Sequence, residues 1–282
     1  MVRRLALSLL GPLLLGAFVS VPSASAQSSY FTIQPNNVYA GWSVHPSDLL
    51  TSVNGSWTVP VLDCSAPFPS RSWKQSRAAP WVGIWGRSTD PAKSWLVQVA
   101  TVSQCLNGQV HSYRAFWQLF HVSESGGYRT PGPQEVFDVQ PGDQMGAAIE
   151  FRGLVDNQMH FEALIGDPTA SERTGVHQYH REEIVIDAGA QEEDVRWQGG
   201  CILEAEPEGK VAAIFDTGGL AKFSEPLRFL SCRVNNTTID EFSGTDVFRW
   251  DLKAGDTGDA LAATNPRGAD GSFTVTWKAW RG

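Results

Sequence analysis

Two residues of this chain invite a chemical reading. Gln98 stands in the middle of SWLVQVATVSQC (residues 94–105), where Leu96, Val97, Val99, Ala100 and Val102 read as a buried strand. An amide is costly to bury there without a partner. Glu204 directly follows Ile202 and Leu203 in GGCILEAEPEG (199–209), a second polar group carried by a strand and partly withdrawn from water. An amide and a carboxylate on rigid strands suit amide-bond hydrolysis, which needs an activated water, a donor for the oxyanion and a proton for the leaving amine. A glutamate performs the first and third tasks as base and then acid, and a glutamine NH2 donates at any pH. Taken alone, the pair reads more simply as a structural hydrogen bond or as two unrelated half-exposed side chains.

The elements that must position these residues are strands. GSWTVPV (55–61), SYRAFWQLFHV (112–122), MGAAIEF (145–151), EEIVIDAG (182–189) and GSFTVTWKAW (271–280) are rich in β-branched and aromatic residues. Asn54-Gly55, Pro141-Gly142-Asp143 and Gly218-Gly219 read as the turns between them. Long helix-period runs are missing, and 27 glycines and 16 prolines among many short strands predict an all-β sandwich or jelly roll.

Arg3 and Arg4, an apolar run over 5–19 and the small residues Ala24-Ser25-Ala26 mark residues 1–26 as a secretory signal peptide. Residues 27–37 form a polar lead-in, and 38–282 a single domain. No run reaches the roughly 20 apolar residues of a membrane-spanning helix, so no stable membrane insertion is expected. The net charge of −8 becomes more negative once the two leader arginines are removed, which argues against nucleic acid as a partner. Four cysteines in an exported chain read as disulfides. Cys64 is paired with Cys105 and Cys201 with Cys232, with the other pairings left open, and no spacing suits a thiolate zinc site.

Of the 11 tryptophans, Trp57, Trp117 and Trp277 are expected in the core. Trp81, Trp85 and Trp95 cluster around glycines before the Gln98 strand, and Trp81 and Trp85 are candidates to line a substrate groove, with simple core packing the competing reading. The Asp-Thr-Gly of IFDTGG (214–219) occurs once, so Asp216 reads as a turn residue rather than half of an aspartate pair. His177 and His180 read as solvated rather than as metal ligands. Asn54 matches a glycosylation acceptor pattern but reads as a hairpin turn.

Together these segments resemble the glutamic peptidases, or eqolisins, and the resemblance runs in order along nearly the whole mature chain. YAGWSV (39–44) and VNGSWTVPVLDC (53–64) look like that family's opening strands, and PWVGIWG (80–86) is similar to its AWVGIDG. VQVATVSQC (97–105) matches its glutamine strand, YRAFWQLF (113–120) resembles YDAWYEWY, and VQPGDQM (139–145) resembles its VSPGD turn. CILEAEP (201–207) resembles the AEWIVEAP segment, and AAIFDTGGLAKFS (212–224) and DGSFTVTW (270–277) also fit. The resemblance implies a concanavalin-like antiparallel β-sandwich and a Gln/Glu dyad, with Gln98 on the catalytic glutamine and Glu204 on the catalytic glutamate. It implies a secreted acid endopeptidase acting on protein or peptide substrates without metal or cofactor.

The departures thin the acids around that dyad. Trp85 replaces the aspartate of WVGIDG, Gln118 the glutamate of YEWY, and Gly200 the first glutamate of AEWIVE. The alternative expectation is therefore a non-catalytic secreted sandwich, a pseudopeptidase or carbohydrate-binding protein that holds a ligand with Trp81 and Trp85.

Overall fold

Strict alternation gives each strand of this chain two faces, and both faces of its central strands are buried. The structure, a computed structural model, describes residues 32–36, 39–65, 75–86, 94–122, 133–187, 196–205, 220–253 and 260–278. The leader and the Gly218-Gly219 and Asp216 segment lie outside them.

The strands, in chain order, are β1 Thr32–Asn36, β2 Tyr39–Val44, β3 Ser52–Thr58, β4 Gln75–Gly86, β5 Ser94–Leu106, β6 Gln109–Val122, β7 Gln134–Asp138, β8 Gln144–Val155 and β9 Gln158–Asp167. A seven-residue helix, α1 Pro168–Thr174, precedes β10 Gln178–Asp187, β11 Gln198–Glu204, β12 Leu227–Val234, β13 Thr237–Thr238, β14 Val247–Lys253, β15 Ala260–Thr264 and β16 Phe273–Trp277. They hydrogen-bond in the order β10-β9-β8-β3-β12-β16-β15-β14-β2-β11-β4-β5-β6-β7, with β1 beside β14 and β13 beside β12. All neighbours are antiparallel except β1 and β14.

The sheet folds back on itself, so that β3 packs against β4, and β8 and β9 against β5. The space between the layers holds the main core, which includes Trp42, Val53, Trp57, Val82, Ile84, Val97, Val99, Ile149 and Phe161. Trp57 Nε1 crosses it to donate to Thr101 Oγ1 at 2.9 Å, and the Trp95 and Phe161 rings meet with centroids 5.1 Å apart. The β-sandwich expected from strand spacing is the fold observed.

Both expected disulfides are present. Cys64–Cys105 has a Cα separation of 5.5 Å, and Cys201–Cys232, with 6.1 Å, joins β11 of one layer to β12 of the other.

The Asn54-Gly55 turn is corrected, since both residues lie inside β3, where Asn54 pairs with Ala148 on one side and Arg233 on the other. Gly55 is there for close approach: a Cβ would stand 2.9 Å from Val82 Cγ1 and 3.0 Å from the Cys201 sulfur. Asn107-Gly108, Asp156-Asn157 and Asn235-Asn236 make the tight connections instead, each with two successive positive φ angles suited to hairpin turns.

Candidate active site

The second face of β2, β11, β4, β5 and β6 carries every residue singled out for chemistry. Side chains paired across antiparallel strands share a face, and a row crosses this one through Gln118, Gln98, Gly83, Gly200 and Ser43. The neighbouring row on one side contains Phe120, Leu96, Trp85 and Gln198, and that on the other contains Phe116, Ala100, Trp81, Ile202 and Gly41. Trp81, Leu96, Ala100, Phe116 and Ile202 form a buried apolar cluster separate from the main core, with Tyr39, Trp85, Phe120 and Trp250 packed against it.

Gln98 is 1% exposed, and among the described residues its Oε1 has no hydrogen-bond partner. The same is true of Oε1 of Gln118, 4% exposed and directly across from it. Two buried amides with unfilled acceptors are unusual, since most buried polar atoms find a partner. Further along the row Ser43 Oγ accepts from Gln198 Nε2 at 2.6 Å and from Trp250 Nε1 at 2.7 Å. This polar node ties β2, β11 and β14 together at the level of Gln98.

Glu204 is on the same face but in another row. It closes β11 opposite Ala79 of β4 and Tyr39 of β2, four residues beyond Gly200. With ~3.3 Å per residue along a strand and ~4.8 Å between strands, its Cα lies roughly 16 Å from that of Gln98. The two are not brought side by side as a dyad in contact. The residue on β11 that shares the row of Gln98 is Gly200, and a Cβ there would stand 2.4 Å from the Trp42 carbonyl oxygen, so the β2 backbone fills the space a side chain would need.

Trp81 belongs to the intervening row, and its ring reaches over Gly83, where a Cβ would lie 2.6 Å from Trp81 Cζ3. It meets the Trp85 ring at 4.9 Å between centroids, and Tyr39 contacts both rings edge-on at 6.0 and 6.4 Å. The expectation that Trp81 offers an open binding surface is corrected, because it is fully buried in this cluster. Trp85 is half-buried and stays at the surface of the face. Ser43, Gln198, Tyr39 and Trp250 were not anticipated as part of the site. Their signal was parity alone, the same alternation that places Trp81 and Trp85 on one side of β4.

His180 contacts Glu182 at 3.2 Å and His177 is exposed. Among the described residues no three His, Cys, Asp or Glu side chains group as metal ligands.

The comparisons with known proteins agree with this architecture. Residues 37–175 match the Peptidase A4 family. A structure of scytalido-glutamic peptidase with a transition state analog inhibitor is similar at 14% identity and a TM-score of 0.55, over 86% of this chain and 98% of that one. SCP-B, a member of the eqolisin family in complex with the tripeptide Ala-Ile-His, is similar at 13% identity and a TM-score of 0.51, with the same coverage. No curated protein matches in sequence.

Proposed function

The chain belongs to the Peptidase A4 family of glutamic endopeptidases, and on that premise we propose that it acts outside the cell on extended polypeptide laid across the face that carries Gln98, Trp85 and Glu204. The observation that carries this reading is Gln98, a buried strand-borne amide whose carbonyl oxygen has no partner among the described residues. A scaffold bears that cost where the amide is needed for a ligand. The Gln98 NH2 donates to the carbonyl oxygen of the substrate as it becomes an oxyanion. Glu204 takes the proton of the attacking water and returns it to the leaving amine. Their Cα atoms lie roughly 16 Å apart, so for both to act on one scissile bond the Trp81 ring, which stands between their rows, must swing off Gly83 and the Glu204 end of β11 must draw toward β5 as the substrate enters.

A second reading, peptide binding without hydrolysis, is favoured by Gly200. The place directly aligned with Gln98 on β11 holds no carboxylate, and β2 has closed over it. A peptide library incubated from about pH 2 to 7, spanning the glutamate reference of about 4.3, separates the two. Hydrolysis by the native protein that is abolished in both Gln98→Ala and Glu204→Gln supports the dyad. Hydrolysis that persists in Glu204→Gln removes Glu204 from the mechanism, and saturable peptide binding with no cleavage at any pH leaves the binding reading.

A further inference from the structure

Away from that face, two carboxyl groups are buried against one another where α1 meets the turn before β8. Asp143 is 1% exposed and Asp167 is fully buried. Asp143 accepts from the backbone N–H of Gln140 at 2.7 Å and forms a two-pronged ion pair with Arg173 of α1. Asp167 caps α1, its Oδ1 accepting from the Ala170 N–H at 2.7 Å, while its Oδ2 is buried and, among the described residues, has no donor to satisfy it. The two carboxyls meet at α1: Asp167 caps the helix whose Arg173 pairs with Asp143 and whose Thr169 Oγ1 accepts from the Gln144 N–H at 2.9 Å, and each carboxyl acts on the titration of the other. Ionised carboxylates only accept, so two of them buried together around one cation are satisfied with a proton between them.

We propose that Asp143 and Asp167 share one proton, forming a buried latch that ties α1 to the turn before β8 and that opens as this proton is lost. Arg173 decides where the charge resides. Its ion pair and the Gln140 N–H hold Asp143 as the carboxylate, and Asp167 is the carboxylic acid, donating from Oδ2–H to Asp143 while Oδ1 keeps the helix cap. The orphaned oxygen is thereby a donor, and every polar atom of the pair is used.

Among the described residues Arg173 is the one other charged group acting on the two carboxyls. On the surrounding elements Gln140 and Gln144 are neutral, as is Gln178 of β10, which pairs with Asp167, and Glu172 and His177 are exposed. Burial pushes the Asp167 carboxyl up, and the neighbouring Asp143 charge pushes the same way against the Ala170 N–H. Burial also works to raise Asp143, but Arg173, the Gln140 N–H and the proton of Asp167 together hold it below the ordinary range. The raised group stabilises the fold fully below its unfolded value and loses that contribution as pH rises through its folded value. The lowered group stabilises above its unfolded value and loses its contribution as pH falls through its folded value. Both contributions are present near the reference aspartate value of about 3.9, so the latch is an acid-side device.

The test uses the whole protein and no peptide substrate, so it stands or falls apart from any hydrolytic activity. Thermal midpoints are measured from about pH 3 to 8 for the native protein, Asp167→Asn and Asp143→Asn. Asparagine at 167 keeps the cap acceptor and donates to Asp143 permanently, so the alkaline-side fall of the midpoint should flatten relative to the native protein. Asp143→Asn should lower the midpoint throughout, since Arg173 and the Gln140 N–H lose their carboxylate. An unchanged alkaline slope in Asp167→Asn overturns the proposal. If that variant does not fold, the infrared spectrum of the native protein titrated upward from about pH 4 decides: a protonated-carboxyl band that outlasts those of the exposed carboxyls as pH rises supports the shared proton, and loss of all such bands together overturns it.

Discussion

Gln98 and Gln118 face one another across β5 and β6, both buried and neither with a hydrogen-bond partner for its carbonyl oxygen among the described residues. The row they begin contains amides, glycines and a hydroxyl, and no group that changes charge. Gln118→Glu should therefore introduce a pH dependence of its own. Burial will raise the folded pKa of the new carboxyl above about 4.3, so stability is retained below that value and lost as pH rises through the folded one. Denaturant unfolding at acid and neutral pH should show a loss of ~1 to 3 kcal/mol confined to the neutral measurement.

Trp81 and Trp85 are neighbours on one face but differ in burial. Truncating Trp81 to alanine removes a fully buried indole and should cost ~3 to 5 kcal/mol, the range for large aromatic deletions in cores. Trp85→Ala should cost clearly less. Equal losses, read from urea midpoints, would mean that the aromatic cluster does not anchor this face through Trp81.

Gly55 pairs with Cys232 and Ala147, and Gly146 with Ser56 and Gly166, in the second layer, yet only the first is crowded. A methyl group at 55 would press on Val82 and on the Cys201 sulfur, whereas at 146 it meets nothing within 4 Å. Gly55→Ala should destabilise by ~1 to 3 kcal/mol through overpacking, and Gly146→Ala should stay near neutral. Thermal unfolding of the two variants provides the comparison.

The Cys201–Cys232 bridge crosses the main core with a sequence separation of 31. Its removal as a double serine variant should cost ~3 to 4 kcal/mol on the chain-entropy account. Peptide mapping without reduction should recover both this bridge and Cys64–Cys105.

Much of this was legible from residue order. The apolar run of SWLVQVATVSQC located β5, and the spacing of strands and turns indicated a sandwich. Cross-strand register was not legible. Gln98 and Glu204 could be recognised as strand residues of the right type, but their alignment depends on where β5, β4 and β11 pair, which no local signal in any one strand states. A shift of four residues along β11 separates a carboxylate beside Gln98 from one about 13 Å away along the strand. Asn54-Gly55 misled for a related reason: the pair is a strong hairpin signal, but here glycine was required for the approach of the other layer, which is invisible to short-range reading.

The place of β2 bears on how this molecule reaches its native state. Tyr39–Val44 lies between β11 and β14, so a segment near the start of the chain pairs with Gln198–Glu204 and Val247–Lys253. Such pairings join residues more than 150 positions apart, and loop-closure entropy opposes them until most of the polypeptide is in hand. The layer that carries Gln98 is completed late, after β14 has emerged. Until then β4 and β5 expose an edge and an apolar face, and the nascent chain depends on being kept from other chains over that interval.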